Sequence, residues 1–303
     1  MCITDTSGRG MVVARLSGVS FSLTLHGSDL LLDKTFLDTK LSNCQFCITI
    51  SEYNRRYIVE HFPAIDPNRI IVSRLGVDAP KHKDLPRKAP GAHPAFTLLA
   101  VGRLHAVKDH AALVRACARL RDHGLDFECL IAGEGPERQR LASLIRENRL
   151  QDRLTLLGHV PREQMDSLYQ RADVVVLTSR SEGIPLVLME AMVRGRIVLA
   201  PAITGIPEIV IPGKTGFLYV PRALEDFVEK ILLLQELMQV EDHSEVSRLA
   251  WIRHAARVQV LHNFDRMKNL TCFGDLFLQL IAKQEFARQD WSPPHEDLVL
   301  QQI

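Results

Sequence analysis

Between residues 95 and 202 the chain repeats one unit: a short apolar run, a turn, then an amphipathic stretch. The runs are "AFTLLAVGR" (95–103), "FECLIAGEG" (127–135), "RLTLLGHV" (153–160), "DVVVLTS" (173–179) and "RIVLAPA" (196–202). Between them lie "DHAALVRACARLRDHG" (109–124), "PERQRLASLIRENRL" (136–150), "REQMDSLYQRA" (162–172) and "PLVLMEAMVRG" (185–195), which carry helical signals. Strands without a polar face must be covered on both sides, and strand–helix alternation places them in a parallel sheet between two helical layers. The pattern predicts an α/β, doubly wound domain over about 95–250, with another short strand at "GFLYVP" (216–221). Gly124 marks a helix C-cap, and Pro136 marks the first position of the next helix.

The residues before 95 carry the same signals less regularly. "GMVVARLSGV" (10–19) reads as a short helix and "SFSLTL" (20–25) as a strand, followed by the loop "HGSDLL". "CQFCITIS" (44–51) is a second strand, "EYNRRYIVEHF" (52–62) an amphipathic helix, and "RIIVSRLGVD" (69–78) a third strand with its exit loop. The stretch "APKHKDLPRKAPGAHP" (79–94) holds four prolines and little that can be buried. The expected organisation is a first domain over 1–80, a linker over 81–94, the second domain over 95–250, helices over 251–283 and a tail over 284–303. A helical apolar pattern over 254–283 is broken near Asn263.

Doubly wound sheets bind ligands beyond the carboxyl ends of their strands, so the strand exits are the informative positions. They carry Gly102-Arg103-Leu104 with Lys108, then Gly133-Glu134-Gly135-Pro136, then Arg180-Ser181-Glu182-Gly183-Ile184-Pro185, and last Ile203 to Glu208. Glycine and charge at four successive exits outline one cleft. Arg103 and Lys108 lie near a helix start, where the dipole favours anions, so two cations there suit a bound phosphate better than a bare surface. Gly133 and Gly135 either permit a tight strand-to-helix turn or let a ligand approach the backbone. Glu182 either favours the next helix start through its dipole or faces the cleft. Glu190 is surrounded by Leu186, Leu188, Met189, Met192 and Val193, and a carboxylate in such company needs a partner; ribose hydroxyls would serve. The amides of Gly183 and Ile184 suit a phosphate or sugar oxygens.

Bulk charge is uninformative about partners: 37 basic and 36 acidic residues leave a net charge of +1. Six scattered cysteines suit a reducing compartment, and the lone C-x-x-C of Cys44 and Cys47 reads as two buried thiols flanking a strand. The first residues, "MCITDTSGRG", show no apolar leader, and no apolar run reaches the ~20 residues of a membrane span. The expectation is a cytoplasmic protein, with peripheral membrane contact open.

As a set, "VGRLHAVKD", "IAGEGPE", "LGHVPREQMDSLYQRADVVVLTS", "TSRSEGIPLVLMEAM" and "GIPEIVIPGKTGFLY" resemble, in order, the motif blocks of retaining glycosyltransferases of family 4, including their E-x7-E signature. "SFSLTLHGSDL", "CITISEYNRRYIVEHF" and "RIIVSRLGVD" are similar to the end of that family's N-terminal domain, so the resemblance covers about 20–280. It looks closest to members that build bacterial exopolysaccharides of the colanic-acid type. The resemblance implies a GT-B fold, two Rossmann-like domains facing a cleft, with the N-terminal one incomplete here. It also implies that the last helices cross the cleft, so that 264–282 packs on the first domain through Phe273, Leu276, Phe277 and Leu280. That shortfall implies a fragment, a mis-called start or one half of a split protein, with a partner supplying the missing part. The resemblance also implies a nucleoside diphosphate sugar as donor and co-substrate, a saccharide or lipid-linked saccharide acceptor, and no nucleic acid, cofactor or metal; no D-x-D follows a strand in the donor half. By position, Glu190 resembles the glutamate that holds the ribose. Glu182 with Gly183, Ile184 and Pro185 resembles the turn that grips the donor sugar. Arg103 and Lys108 resemble the pair that stabilises the diphosphate, with Gly102, Gly133 and Gly135 beside it. His26, just after a strand, resembles the family's histidine near the reacting sugar, and a structural loop histidine is its other reading. The alternatives are a degenerate nucleotide-sugar-binding subunit, or a nucleotide-sugar epimerase or phosphorylase of the same fold.

Overall fold

Two parallel sheets organise the chain in the computed structural model, which describes residues 9–18, 20–31, 35–80, 96–241 and 247–289. The smaller sheet holds β1 (Leu23–Leu25), β2 (Cys47–Thr49) and β3 (Ile70–Val72), in the order β1-β2-β3. Around it run α1 (Arg9–Ser17), α2 (Gly27–Leu31), α3 (Leu37–Asn43) and α4 (Glu52–His61). Leu23, Leu25, Leu30, Leu41, Ile58 and Ile70 form the centre of its core. Helix α4 begins where the Ser51 hydroxyl accepts the Asn54 N–H at 3.1 Å.

A short helix replaces the expected loop, and a second follows it. Helix α2 occupies "GSDLL" because the Asp29 carboxylate reaches back to the His26 N–H at 2.7 Å, half of a capping box. Helix α3 follows Phe36, which sits in the left-handed region without any side-chain cap. The C-x-x-C thiols flank β2 as buried groups: burial pushes the Cys44 thiol up to about 11 and the Cys47 thiol further. Neither is poised to form the thiolate that redox or metal chemistry needs.

The larger sheet is built from β4 (Phe96–Val101), α5 (His110–Asp122), β5 (Phe127–Ala132), α6 (Arg138–Glu147), β6 (Leu154–Gly158), α7 (Arg162–Arg171), β7 (Val174–Val176), α8 (Leu186–Val193), β8 (Ile197–Pro201), β9 (Phe217–Tyr219) and α9 (Leu224–Glu241). Its order is β6-β5-β4-β7-β8-β9, every pair parallel. The chain winds outward one way from β4 and the other way from β7, the doubly wound topology. The pleat explains why the strands are apolar throughout. Leu98, Val174, Val176 and Leu199 join a core with α5, α6 and α9, while Leu99, Val175, Val198 and Ala200 join a second core with α7 and α8. Gly124 takes φ +77 just past the end of α5, as a C-cap glycine should. Pro136 does not open α6; it lies in a turn, and the helix starts at Arg138.

Past α9, the helical stretch divides at Asn263, where the break was expected. Helix α10 (Arg248–Asn263) belongs to the larger unit: Ala256 and Val260 are buried in the core that contains α8. Contact with the smaller unit begins at Phe264, whose carbonyl accepts the Val77 N–H at 2.9 Å. Helix α11 (Arg266–Gln289) continues it, with the Asn269 side chain donating to Leu75 O and the Phe277 ring edge-on to Phe46 at 5.8 Å. Phe273, Leu276 and Phe277 are half-buried; the Leu280 side chain lies outside the described residues. So do 81–94, expected as a linker, and 290–303 of the expected tail, whereas 284–289 continue α11. Among the described residues no helix is long and apolar enough to cross a membrane.

Candidate functional site

Strands β4 and β7 are neighbours whose connections leave in opposite directions, which opens a crevice at their carboxyl ends. Residues 102–109 line one side and 177–185 the other. The Lys108 Nζ and Glu182 Oε1 meet across it at 2.6 Å, both largely shielded from solvent. Lys108 ends a 3-10 turn, Ala106–Lys108, and is fixed from the β7 side: Thr178 Oγ1 donates to its carbonyl at 3.1 Å, and the Arg180 N–H donates to Val107 O at 2.8 Å. Arg103 is exposed, and its guanidinium makes no ion pair with any described residue. Beneath this loop the His110 ring is buried, and neither ring nitrogen has a well-formed hydrogen bond among the described residues. Burial holds its imidazole below the usual histidine range, despite the nearby backbone of Arg103 and Gly102.

Gly133 and Gly135 are required by the close packing of two strand exits. A Cβ on Gly133 would lie 1.9 Å from Gly102 O, and one on Gly135 2.4 Å from Leu104 O, with φ at +150° and +155°. The two glycines let the exits of β4 and β5 lie against each other, joined by Gly102 N–H to Ala132 O at 2.9 Å and Leu104 N–H to Glu134 O at 2.8 Å. They therefore hold the loop that carries Arg103.

Glu190 stands one turn into α8, whose start is the buried Pro185. Its carboxylate has an internal partner that the sequence did not suggest: the Tyr169 hydroxyl of α7 donates to Oε2 at 2.8 Å. Burial first, then the charge of Glu190, pushes the Tyr169 hydroxyl well above its usual range, so it stays a donor. The Arg194 guanidinium covers the Tyr169 ring at 5.0 Å and bonds Asp166 and the Glu190 carbonyl. Glu190 is thus oriented without being fully covered.

The smaller unit closes the cleft at Gly183. A Cβ on Gly27 would come within 2.8 Å of Gly183 Cα, and one on Gly183 within 2.8 Å of Ile50 Cδ1. His26, next in sequence to Gly27, therefore stands at the rim of the Glu182–Gly183 turn, its ring half exposed and 3.6 Å from Asp29. Burial pushes the Asp29 carboxyl up, but the bonds and charge of His26, with Lys40, outweigh it and hold it below the usual range. A second junction was invisible in the sequence. The Glu208 carboxylate accepts the Glu52 N–H at 3.1 Å and the Tyr53 N–H at 2.7 Å, at the start of α4, with Arg74 at 3.9 Å. Its backbone is held in turn by Gln259 of α10. The Gly-Ile-Pro-Glu turn gave a weak hint, an acid at a strand exit, but its partners lie some 150 positions away in the chain.

The structure thus brings His26, Lys108, Glu182, Gly183 and Ile184 to one junction, with Gly102 and Gly133 packed beside it. Comparison with known proteins adds to this. Residues 83–246 match the family described as "Glycosyl transferases group 1". A protein of Escherichia coli K12 named for colanic acid biosynthesis as a glycosyltransferase, WcaL, is 31% identical over 204 residues, 65% of this chain and 48% of that protein. The amylovoran biosynthesis glycosyltransferase AmsK of Erwinia amylovora is 33% identical over 156 residues, 50% of this chain and 38% of its own. The matched part therefore spans about half or less of these curated relatives. A glycosyltransferase structure from Rickettsia africae superposes with a TM-score of 0.75 at 20% identity, covering 92% of this chain and 76% of that one. Anabaena HepE, solved with UDP and glucose, gives 0.73 at 19% identity, covering 89% and 74%. At those identities the superpositions establish the fold, the two-unit GT-B arrangement.

Proposed function

Because the chain belongs to the group 1 glycosyl transferases, we propose that it moves a sugar from a nucleoside diphosphate sugar to a hydroxyl of a saccharide or lipid-linked saccharide, with retention at the anomeric carbon, in exopolysaccharide synthesis. The observation that carries this reading is the Lys108–Glu182 contact across the switch point, with Arg103, which pairs with no acid among the described residues, in the same loop. Lys108 gives one of its three N–H donors to Glu182 and keeps two for a ligand. With Arg103 and the N–H groups at the start of α8, it would stabilise the negative charge that develops on a departing diphosphate, a task for cations that asks for no bound metal. Glu190, held by Tyr169, has acceptor capacity left for ribose hydroxyls. Glu182 serves twice, orienting Lys108 and facing the sugar, while His26 reaches the same place from the other unit. In the transfer, the bond from the anomeric carbon to the phosphate oxygen breaks. The acceptor oxygen bonds that carbon on the same face, and its proton leaves with the phosphate.

A thermal-shift panel of UDP-, GDP- and ADP-sugars on the full chain, followed by donor hydrolysis on whichever stabilises it, tests the reading. Stabilisation with slow release of free sugar is expected. Stabilisation without any hydrolysis or transfer indicates a nucleotide-sugar-binding subunit, and conversion of the donor into an isomeric nucleotide sugar indicates an epimerase. No stabilisation by any donor contradicts all three.

A further inference from the structure

Adjoining the cleft, with Asp109 and Thr178 to Arg180 in both walls but none of the positions assigned to the donor, lies a cavity of about 470 Å³. It opens at the carboxyl ends of β7, β8 and β9, between the first turns of α5 and α9, with Asp109 at the end of segment 106–109 in its wall. Three arginines line it, Arg115, Arg180 and Arg222, against one carboxylate, Asp109. Asp109 is already engaged: its Oδ2 accepts Arg180 Nε at 2.8 Å, and its Oδ1 stands 4.0 Å from Arg115. Arg222 makes no ion pair with any described residue, and its backbone is held at φ +66°, unusual for a residue other than glycine. Other nearby acids are occupied. Glu225 pairs with Arg119, and Asp226 accepts the Val220 N–H at 2.6 Å with Lys230 at 3.7 Å. A second observation points the same way. Ser179 lines the cavity, is 3% exposed, and its hydroxyl has no hydrogen-bond partner among the described residues. Buried hydroxyls are rarely left so.

We propose that this cavity is a second binding site, for a small phosphorylated compound of the size of a sugar monophosphate. Guanidinium forks match phosphate oxygens in pairs, and an excess of two cationic charges over the acid present calls for a dianion. Ser179 supplies a further donor. Ile203, Pro221 and Phe227 give an apolar wall for the carbon skeleton, and the volume falls in the roughly 300–1,000 Å³ range of small-molecule sites. The ligand would touch the same backbone that positions Lys108, since Arg180 and Thr178 are bonded to Val107 and Lys108.

Calorimetry on the full chain with glucose 6-phosphate, inorganic phosphate and glucose tests the site. Glucose 6-phosphate should bind one per chain, more tightly than inorganic phosphate, and glucose should not bind. The affinity should fall about tenfold or more in Arg115→Gln and in Arg222→Gln and persist in Arg103→Ala. Both arginine side chains are exposed, so these variants should keep the parent's unfolding temperature; if one does not, Arg222→Lys, which retains charge but loses the fork, should bind at an intermediate level. Absence of binding in the millimolar range overturns the proposal. So does binding lost in Arg103→Ala but kept in Arg222→Gln, which would put the anion in the switch-point cleft. Equal affinity for inorganic phosphate and glucose 6-phosphate overturns the small-molecule assignment.

Discussion

Replacing Glu208 by alanine tests how the two units are held. Its carboxylate is the partner of the Glu52 and Tyr53 N–H groups, at 3.1 and 2.7 Å. These are first-turn amides of α4, which have no acceptor within the helix. A hydrogen bond to a charged group contributes about 1.5–3 kcal/mol, so two give at most about 6 kcal/mol. The side chain keeps 16% exposure, and water can take over part of each bond, which brings the expected loss to about 2–4 kcal/mol. At about 1.4 kcal/mol per tenfold, this corresponds to roughly 30- to 1,000-fold faster hydrogen exchange at those two amides. The Asn54 amide, bonded to Ser51 Oγ within the smaller unit, is the internal control and should change far less. Glu208→Gln keeps an oxygen acceptor without the charge and should fall between. If Glu52 and Tyr53 exchange in Glu208→Ala as they do in the parent, the junction is not held by this carboxylate, and the placing of His26 beside Glu182 loses one of its supports.

Tyr169→Phe should cost about 1.5–3 kcal/mol in urea unfolding, because Glu190 loses its donor, and should weaken nucleotide binding by misorienting that carboxylate; unchanged stability would mean that the bond is not formed. His110 should make the chain less stable in mild acid. Its folded pKa is depressed, so below about pH 6.5 the unfolded chain takes up a proton that the buried ring refuses, with a slope of up to about 1.4 kcal/mol per pH unit. His110→Phe should flatten that slope between pH values near 6.5 and the carboxylate range, and an equal slope in parent and variant contradicts the assignment. Gly133→Ala should cost about 3 kcal/mol or more, since a Cβ would stand 1.9 Å from Gly102 O at φ +150°; a loss below about 1 kcal/mol would mean that the two strand exits can separate freely.

What could be read from the sequence follows the range of the forces involved. Strands β4, β5, β7 and β8 were legible because both their faces are buried, so Leu98 and Leu99 are apolar for separate reasons that the pleat makes visible. The location of the cleft followed from topology, since Lys108 and Glu182 sit at exits that flank the β4–β7 switch. Helix α2 was not legible, because one turn has no hydrophobic period and rests on a single Asp29 to His26 bond. Pro136 misled because proline serves the turn before a helix as readily as its first position. The bond from the Tyr169 hydroxyl to Glu190 has no signal in the sequence, and Glu208, one more charge at a strand exit there, gains its partners only when α4 is brought to it. Both depend on contacts between distant segments, which no local pattern encodes.

The central claim is that the β4–β7 cleft holds a nucleoside diphosphate, ribose toward Glu190 and phosphates toward Lys108. Titration calorimetry with paired nucleoside mono- and diphosphates, UMP with UDP and GMP with GDP, tests both halves without knowledge of the acceptor. For whichever base binds, Glu190→Ala should weaken the monophosphate and the diphosphate alike, by about tenfold or more, because the ribose is common to both. Lys108→Ala should weaken the diphosphate by a similar factor and affect the monophosphate much less. If neither pair binds the parent chain, or both variants bind the diphosphate as the parent does, the cleft is not the nucleotide site.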